Sequence, residues 1–293
     1  MREENAPGLT VDWVNAWLAA LGVTVLVPEV SLRWTGEAVP SACFRMPDHS
    51  PPLRELLAGA LPSLDDLGRL SIARWREDTP ELSRKVSLDV YARRAAVARR
   101  SADTSLSSTV TDLLAELPND GLPHSPFDPP MPHGITLWER VISCRKAIDD
   151  VEAAATETFA GRGRRVANNG LGFDARRLVG GVRSGEPRVD PLIEMLAFCG
   201  LALFPLRGNG TESQARGWTG PGGRSGSFRW CAWSPALDRW AIDALLDVVA
   251  LGRSGVGVGL ATRLGITASY RSIPYQSRGS ADPTRAYGAE RQL

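Results

Sequence analysis

The sequence predicts an α+β protein, in which an N-terminal helix plus antiparallel β-hairpin is followed by a largely helical remainder with a second small antiparallel sheet. Apolar residues near the N-terminus recur at helical spacing, strand-like segments lie towards both ends of the chain, and amphipathic or apolar segments lie between them. The 293 residues are 43% hydrophobic and 23% charged, which is the composition of a globular protein and excludes a disordered or fibrous chain.

The N-terminal elements are predicted from the first 44 residues. Thr10 is a suitable N-cap, the apolar residues after it recur at helical spacing, and Gly22 is expected to end the helix. VTVLV (23–27) and VSLRW (30–34) flank a Pro-Glu pair, which predicts a β-hairpin, and a third strand is expected over 38–44. These elements would form a helix packed on a small antiparallel sheet.

The middle of the chain divides it into two predicted lobes. LRELLAGAL (53–61) is predicted to be a short helix, and the arginines of a longer helical candidate over 82–102 form either a solvated face or a contact for nucleic acid or an acidic partner. Residues 118–134 contain six prolines and are expected to form an ordered loop. We therefore expect an acidic α+β lobe over 1–117 and a basic α+β lobe over 135–293, with one continuous domain as the alternative.

Two helices are predicted in the second lobe. The segment 137–159 follows Thr136, which is a suitable cap, and carries apolar residues on one face. A further helix is expected to begin at Pro191, because proline is favoured in the first turn of a helix, and to extend towards Pro205. Since this second helix is apolar nearly all round, we expect it to be central and buried.

Two strands and another helix are predicted nearer the C-terminus. SFRWCAW (227–233) alternates as a strand does, and 264–278 is predicted to be a final strand. Between them, Ser234 is expected to cap a helix with Pro235 at its first position. The last fifteen residues are polar and are expected to fray.

The cysteines and histidines do not predict a cofactor or a metal centre. Cys199 and Cys231 lie in apolar surroundings and belong to no CxxC pair, so both are expected to be buried. His124 and His133 bracket Asp128 in the proline-rich loop, which leaves a metal-dependent hydrolase open as a third hypothesis. No cofactor is predicted.

Several classes of protein are disfavoured by motifs that the chain lacks. It has no run of eighteen apolar residues and no signal peptide, so we expect a cytoplasmic protein that makes no membrane contact. The motifs GxGxxG, GKS or GKT, and GxSxG do not occur in the required contexts. Asp149, Asp150 and Glu152 are interpreted as a solvated cluster on a helix. With no catalytic motif found, we expect a protein that is not an enzyme.

Charge is distributed unevenly along the chain. Residues 1–160 hold 16 Lys and Arg against 23 Asp and Glu, a balance of −7, and residues 161–293 hold 18 against 10, a balance of +8. The two balances sum to the net charge of +1. An acidic first half and a basic second half suggest two surfaces with different partners.

The most distinctive segment is 161–188, GRGRRVANNGLGFDARRLVGGVRSGEPR, which contains seven arginines, one Asp and one Glu. Arginines, backbone amides exposed by glycines, and an aromatic ring are the groups that single-stranded nucleic acid binding uses. The candidate nucleic-acid-binding residues are Arg162, Arg164, Arg165, Asn168, Asn169, Phe173, Arg176 and Arg177. The alternative is an arginine-rich hairpin that pairs with the acidic half of the same chain.

The tryptophans give a prediction about the core. Most of the nine, Trp240 among them, lie in periodic segments and are expected to be buried. Trp218 lies beside Arg216 in the Gly/Ser-rich stretch 207–227, which is expected to be mobile, and Trp218 is therefore predicted to be exposed.

Four stretches of the chain together resemble a known family. They are DWVNAWLAALGVTVLVPEVSLRWT, HSPFDPPMPHGITLWERV, NNGLGFDARR, and the pair LAFCGLALFPLRG and FRWCAW. This pattern is similar to that of accessory proteins encoded in type I-G (I-U) CRISPR loci. Those proteins are described as extensions associated with the helicase–nuclease, or as small relatives of the large subunit of the CRISPR complex. The resemblance implies a role in antiviral defence with a CRISPR ribonucleoprotein complex and implies no reaction, because the chain lacks helicase motifs and a His–Asp metal pair.

These observations lead to one functional expectation and one alternative. The chain is expected to be a non-enzymatic subunit or accessory of a type I CRISPR antiviral effector that contacts nucleic-acid backbone through its Arg/Gly-rich segment. Its expected partners are CRISPR effector proteins and either guide RNA or target DNA. The alternative is a protein–protein interaction module that bridges effector components without binding nucleic acid.

Overall fold

A computed structural model describes residues 1–69, 137–168, 170–171, 188–204, 206–208, 213–219, 227–251, 257–275 and 286–292, together with the single residue Ala96. The predicted basic helix over 82–102, apart from Ala96, and the whole proline-rich loop over 118–134 lie outside these residues. His124, Asp128 and His133, on which the hydrolase hypothesis depends, lie outside them as well.

The N-terminal elements form a three-stranded antiparallel sheet with helices packed beside it. They are β1 (Arg2–Thr10), α1 (Val14–Leu26), β2 (Ser31–Trp34), β3 (Ser41–Met46), α2 (Leu53–Ala60) and α3 (Leu64–Arg69). The strand order is β1-β3-β2, so β3 is central, and its register pairs Phe44 with both Glu4 and Leu32. A helix plus an antiparallel hairpin is present, as the predicted fold class requires, but the hairpin is formed by β2 and β3 and not by 23–27 and 30–34.

The segment 23–27 is the C-terminal part of α1, and its prediction as a strand is wrong. Val23 and Val25 are buried, as is most of α1, because the helix is enclosed by the rest of the protein. A short run that is apolar on all sides fits a buried helix and a buried strand equally well, so periodicity does not separate the two. Strand β1 was not predicted, since its sequence REENAPGLT is rich in charge and poor in β-branched residues.

The C-terminal elements surround a second antiparallel sheet. They are α4 (Leu137–Lys146), α5 (Val151–Phe159), β4 (Val166–Ala167), β5 (Arg188–Val189), α6 (Pro191–Gly200), a short 3-10 turn (Leu201–Leu203), β6 (Leu206–Gly208), β7 (Ser213–Ala215), β8 (Trp218–Thr219), β9 (Ser227–Trp233), α7 (Arg239–Leu251), α8 (Val258–Arg263), β10 (Ile266–Tyr275) and β11 (Ala286–Arg291). The second sheet has the order β11-β10-β9-β8. The fold class is therefore α+β, as the sequence predicts.

Three of the predicted C-terminal boundaries are wrong. The helix over 137–159 is two helices, because Asp150 accepts a hydrogen bond from the Ala153 amide and starts α5 as its N-cap. The helix after Ser234 begins at Arg239, since Leu237 first forms a bridge with Leu32. The terminal segment does not fray over β11, which pairs with β10 from Ala286 to Arg291.

Helices α1 and α6 cross at glycines and form the centre of the molecule. A Cβ on Gly22 would lie 1.8 Å from the Leu196 carbonyl oxygen, and a Cβ on Gly200 would lie 2.2 Å from the Leu18 carbonyl oxygen. The two backbones therefore approach more closely than any side chain permits. Gly22 does not end α1, as the sequence suggested, but lies inside it at this crossing.

Three tryptophans of the core join the N-terminal elements to β9 by donating indole N–H groups. Trp17 donates to the Cys231 carbonyl at 2.9 Å, Trp230 to the Val11 carbonyl at 2.6 Å, and Trp233 to the Leu32 carbonyl at 2.9 Å. One hydrophobic cluster accordingly extends from Ala6 in β1 to Tyr270 in β10. The two sheets, α1 and α6 therefore share one core.

Two predictions about tryptophan exposure are wrong. Trp240 is 71% exposed on the outer side of α7, and Trp218 is packed against the core beside Phe228. The cause for Trp218 is its neighbour Arg216, which is buried and binds Asp243, Asp247 and the Leu203 carbonyl. This arginine holds the turn between β7 and β8 onto α7, whereas 209–212 and 220–226 of the stretch that was expected to be mobile lie outside the described residues. Within the described parts of the chain, no helix combines the length and apolarity needed to cross a membrane.

Candidate nucleic-acid interface

The arginine-rich segment begins as the first arm of a hairpin. Val166 of β4 pairs with Val189 of β5, and Ala167 pairs with Arg188, both antiparallel. The twenty residues 168–187 separate the two strands, and α6 begins directly after the second strand and Asp190. Of the eight candidate residues, Asn169, Phe173, Arg176 and Arg177 lie outside the described residues, and Arg162, Arg164, Arg165 and Asn168 lie within them.

A buried carboxylate holds the backbone where this hairpin leaves its first strand. Glu194 of α6 is 2% exposed; its Oε2 accepts the Leu171 amide at 2.6 Å and its Oε1 accepts the Asn15 side-chain amide at 2.7 Å. Gly170 precedes this contact with φ of +53°, and a Cβ there would lie 2.5 Å from the Glu194 carboxylate. The glycine therefore lets the chain close over the carboxylate.

Two residues of α4 hold the same turn from its other side. Arg140, which is buried, donates from its Nη1 to the Gly170 carbonyl at 3.0 Å. Ser143 accepts the Asn168 side-chain amide at 3.0 Å, while the Asn168 Oδ1 accepts the Gly170 amide at 2.9 Å. The side chain of Asn168, a candidate base contact, is thus used within the protein to shape the turn.

Arg162 and Arg164 form ion pairs with the acidic half of the chain. Arg162 binds Glu157 through two N–H groups at 3.0 and 3.1 Å, and the Nη1 of Arg164 lies 3.8 Å from the Asp149 carboxylate. Both guanidiniums remain open to solvent, with side-chain exposures of 64% and 76%. The Arg162 pair lowers the pKa of Glu157 through its hydrogen bond and charge.

Arg165 and Arg188 are the more available arginines of the hairpin base. Both are exposed, and neither makes a hydrogen bond or ion pair with any residue that the structure describes. The positive charge of Arg165 acts to lower the pKa of the Asp190 carboxyl, and it is the smallest of the influences on that pKa. The described base of the hairpin therefore presents two paired and two unpaired arginines to solvent.

Asp190 starts α6 directly after the second arm of the hairpin. Its Oδ1 accepts the Leu192 and Ile193 amides at 3.0 and 3.4 Å, and its Oδ2 accepts the Thr158 hydroxyl at 2.8 Å. Burial raises the pKa of this carboxyl above its ordinary value, although the hydrogen bonds oppose the shift. The folded protein therefore favours the protonated form of Asp190 more than the unfolded chain does.

The raised pKa of Asp190 predicts a pH-dependent difference between the protein and its Asp190→Asn variant. Asparagine remains a good N-cap and does not ionise. As the pH rises from about 3.9, the ordinary aspartate value, through the higher native pKa, the wild type should lose stability relative to the variant and then level off. Urea unfolding of both proteins from acidic to neutral pH measures this difference, and two parallel curves would contradict the prediction.

The described residues do not assemble an obvious reaction centre. No group of three or more His, Cys, Asp or Glu side chains that could hold a metal ion occurs among them. All four cysteines are buried and reduced, and burial raises the pKa of Cys231 to about 12, which suppresses the thiolate needed for nucleophilic chemistry. What this site offers chemically is guanidinium and amide donors on a fixed backbone.

Comparison with known proteins adds no relative. No protein-family description, no curated protein and no solved structure matches the chain. The site is therefore interpreted from its own geometry.

Sequence reasoning missed the residues that position the hairpin. Glu194 is the only charged residue in the otherwise apolar helix LIEMLAFCGLALF, and an isolated charge in such a helix is a usable signal of a buried polar contact. Arg140 and Asn15 gave no comparable signal, because each lies among residues of ordinary helical pattern and finds its partner only across the fold.

Proposed function

We propose that this chain is a non-enzymatic subunit or accessory of a type I CRISPR antiviral effector, and that it contacts nucleic-acid backbone through the arginines of its hairpin. The resemblance of four sequence stretches to type I-G accessory proteins supports the assignment to a CRISPR complex. The contact with nucleic acid is supported by the exposure of Arg162, Arg164, Arg165 and Arg188 at the hairpin base.

The observation that carries the nucleic-acid contact is the combination of exposed arginines with an anchored backbone. Glu194 and Arg140 fix the turn at Gly170 and Leu171 from two sides, so β4, which directly follows Arg162, Arg164 and Arg165, is held in place. Preorganised donors lose less conformational entropy when a ligand binds than donors on a free chain do. Phosphate oxygens are suitable ligands because arginine binds them through paired N–H groups.

The existing ion pairs do not oppose this proposal strongly. Pairs between exposed side chains, such as Arg162–Glu157 and Arg164–Asp149, contribute little to stability because water and salt screen them. A phosphate group could therefore replace the carboxylate partner at small cost. The proposed binding is independent of base sequence and sensitive to salt, because it uses backbone phosphates.

Fluorescence anisotropy with labelled single-stranded RNA, single-stranded DNA and duplex DNA tests the nucleic-acid contact. We expect affinity that falls steeply between about 50 and 200 mM salt, as counterion release requires. Absence of binding at the lower salt would overturn it. Co-purification with the CRISPR effector proteins, from cells that express the complete complex, tests the assignment to that assembly.

The triple variant Arg162→Ala, Arg164→Ala, Arg165→Ala is expected to weaken binding to a similar extent for all sequences. Each lost phosphate contact should also reduce the slope of log affinity against log salt by roughly 0.7–0.9. The matched control is Arg45→Ala, Arg54→Ala, Arg263→Ala, which removes three charges from the described surface elsewhere. If both triple variants show equal losses, the effect belongs to net charge and not to the hairpin.

A protein-bridging module is the second candidate function. The observation that favours it is that Arg162 and Arg164 pair with Glu157 and Asp149 of the acidic half, as an intramolecular role for the segment requires. On this alternative, the chain still co-purifies with effector proteins but shows no binding to any of the three nucleic acids at low salt.

A further inference from the structure

A half-open pocket of about 310 Å³ lies beside the hairpin, between the end of α4, the first turns of α5 and the start of α6. Its volume is near the lower limit of small-ligand pockets, which are about 300–1,000 Å³. Apolar groups form most of its floor: Ala147, Ile148, Ala153, Ala154, Pro191 and Leu192. A pocket of this size and lining suits one aromatic or large aliphatic group.

The rim of the pocket carries more negative than positive charge. Three carboxylates, those of Asp149, Asp150 and Glu157, face the guanidiniums of Arg162 and Arg164. Glu157 and Arg162 neutralise each other in a two-point pair. Asp149 is 86% exposed although its carboxylate lies 3.8 Å from Arg164, and Asp150 uses only one of its oxygens to cap α5. Carboxylate oxygens of both residues therefore remain available to an incoming group.

We propose that this pocket binds an aromatic side chain of a partner protein that carries a basic residue next to it. The aromatic ring would fill the apolar floor, and the adjacent cation would lie against Asp149 and Asp150. A nucleotide is the less suitable occupant of the pocket itself, because four carboxyl groups line it against two guanidiniums. The pocket shares Arg162 and Arg164 with the proposed phosphate contact, whereas Arg165 and Arg188 are not among the described residues that line it.

A pair of small probes with the same ring and opposite charge tests this proposal on the whole 293-residue chain. Tryptamine supplies an indole with a cation, and indole-3-acetate supplies an indole with an anion. In amide ¹H–¹⁵N spectra, we expect tryptamine to shift the Ala153 and Ala154 signals with a Kd on the order of 1 mM, as a ligand of its size allows. Indole-3-acetate and adenosine monophosphate should bind at least several-fold more weakly.

Two variants and one control connect the binding to this pocket. Ala153→Trp should remove the shifts, because Ala153 is exposed and a larger side chain there fills the pocket from the solvent side. Asp149→Lys should weaken tryptamine severalfold and strengthen indole-3-acetate, since it reverses charge at a well-exposed position. Glu152→Lys makes the same charge change on α5 at an exposed residue outside the pocket lining, and should leave both affinities close to wild type.

The outcomes that would overturn the proposal are distinct from those that bear on nucleic-acid binding. No shift with tryptamine up to its solubility limit, or tighter binding of indole-3-acetate or adenosine monophosphate, contradicts the stated occupant. Equal effects of Asp149→Lys and Glu152→Lys contradict the role of the rim. Arg162 and Arg164 belong to both sites. The tryptamine titration involves no phosphate and tests the pocket by itself, and the Arg165 and Arg188 contacts lie outside the pocket, so each proposal can fail while the other stands.

Discussion

Replacing Gly22 with alanine is expected to destabilise the protein by about 3 kcal/mol, the upper part of the usual range for overpacking. The added methyl group would lie 1.8 Å from the Leu196 carbonyl oxygen, which belongs to the backbone of α6 and cannot turn aside as a side chain could. Helices α1 and α6 would have to separate, and the packing between the two sheets would loosen with them. The midpoint of urea or thermal unfolding measures the loss.

The matched control for this prediction is Gly59→Ala. Gly59 lies in α2, is exposed, and has open space where its Cβ would be. Alanine there should stabilise the protein by about 0.5–1 kcal/mol, because it lowers the backbone entropy that folding removes. The two glycine-to-alanine changes are thus expected to have opposite signs, and a Gly22→Ala protein as stable as Gly59→Ala would contradict the close crossing.

Replacing Glu194 with alanine is the second change expected to have a large effect. It leaves the Leu171 amide and the Asn15 side-chain amide without their acceptor in a buried site. Each unsatisfied buried donor costs about 1–3 kcal/mol, so a total near 3 kcal/mol is expected. The hairpin would also lose its contact with α6 at Leu171. The Leu171 amide would then exchange its hydrogen with solvent faster than the amides of α6 do.

Two further variants separate this anchor from a general loss of charge. Glu194→Gln keeps one acceptor oxygen but directs an N–H₂ group at the second donor, so its loss of stability should be intermediate. Glu152→Ala removes an exposed carboxylate and should change stability by no more than about 0.5 kcal/mol. If Glu194→Ala leaves exchange at Leu171 unchanged, the carboxylate does not hold the hairpin.

Local patterns predicted several elements well because their determinants lie within one segment. The strand over 227–233 alternates in sequence and is present as β9. The helix beginning at Pro191 is α6, and the residue before it, Asp190, accepts the first-turn amides. Cys199 and Cys231 are buried as their apolar neighbours indicated.

Predictions failed where a distant segment changed the local preference. The apolar run 23–27 is helical because α6 and the two sheets enclose α1 on all sides. Trp218 is covered because Arg216 binds across to α7, and β11 is ordered because it gains a partner in β10. In each case the deciding contact joins residues far apart in sequence, which periodicity cannot detect.

The candidate site divides in the same way. The sequence alone predicts that the site is rich in arginine and glycine, and Arg162, Arg164 and Arg165 are exposed at the hairpin base. That Asn168 shapes a turn, and that Glu194 and Arg140 hold it, depends on helices brought together by folding.

The sequence by itself determined the α+β class, the central apolar helix and the unequal distribution of charge, because composition, spacing and net charge are local or additive properties. Only the tertiary structure decided which glycines mark a helix crossing, which arginines are buried, and which carboxylate anchors the hairpin. These depend on distances between segments, and a buried polar group is stable only where the fold supplies its partner.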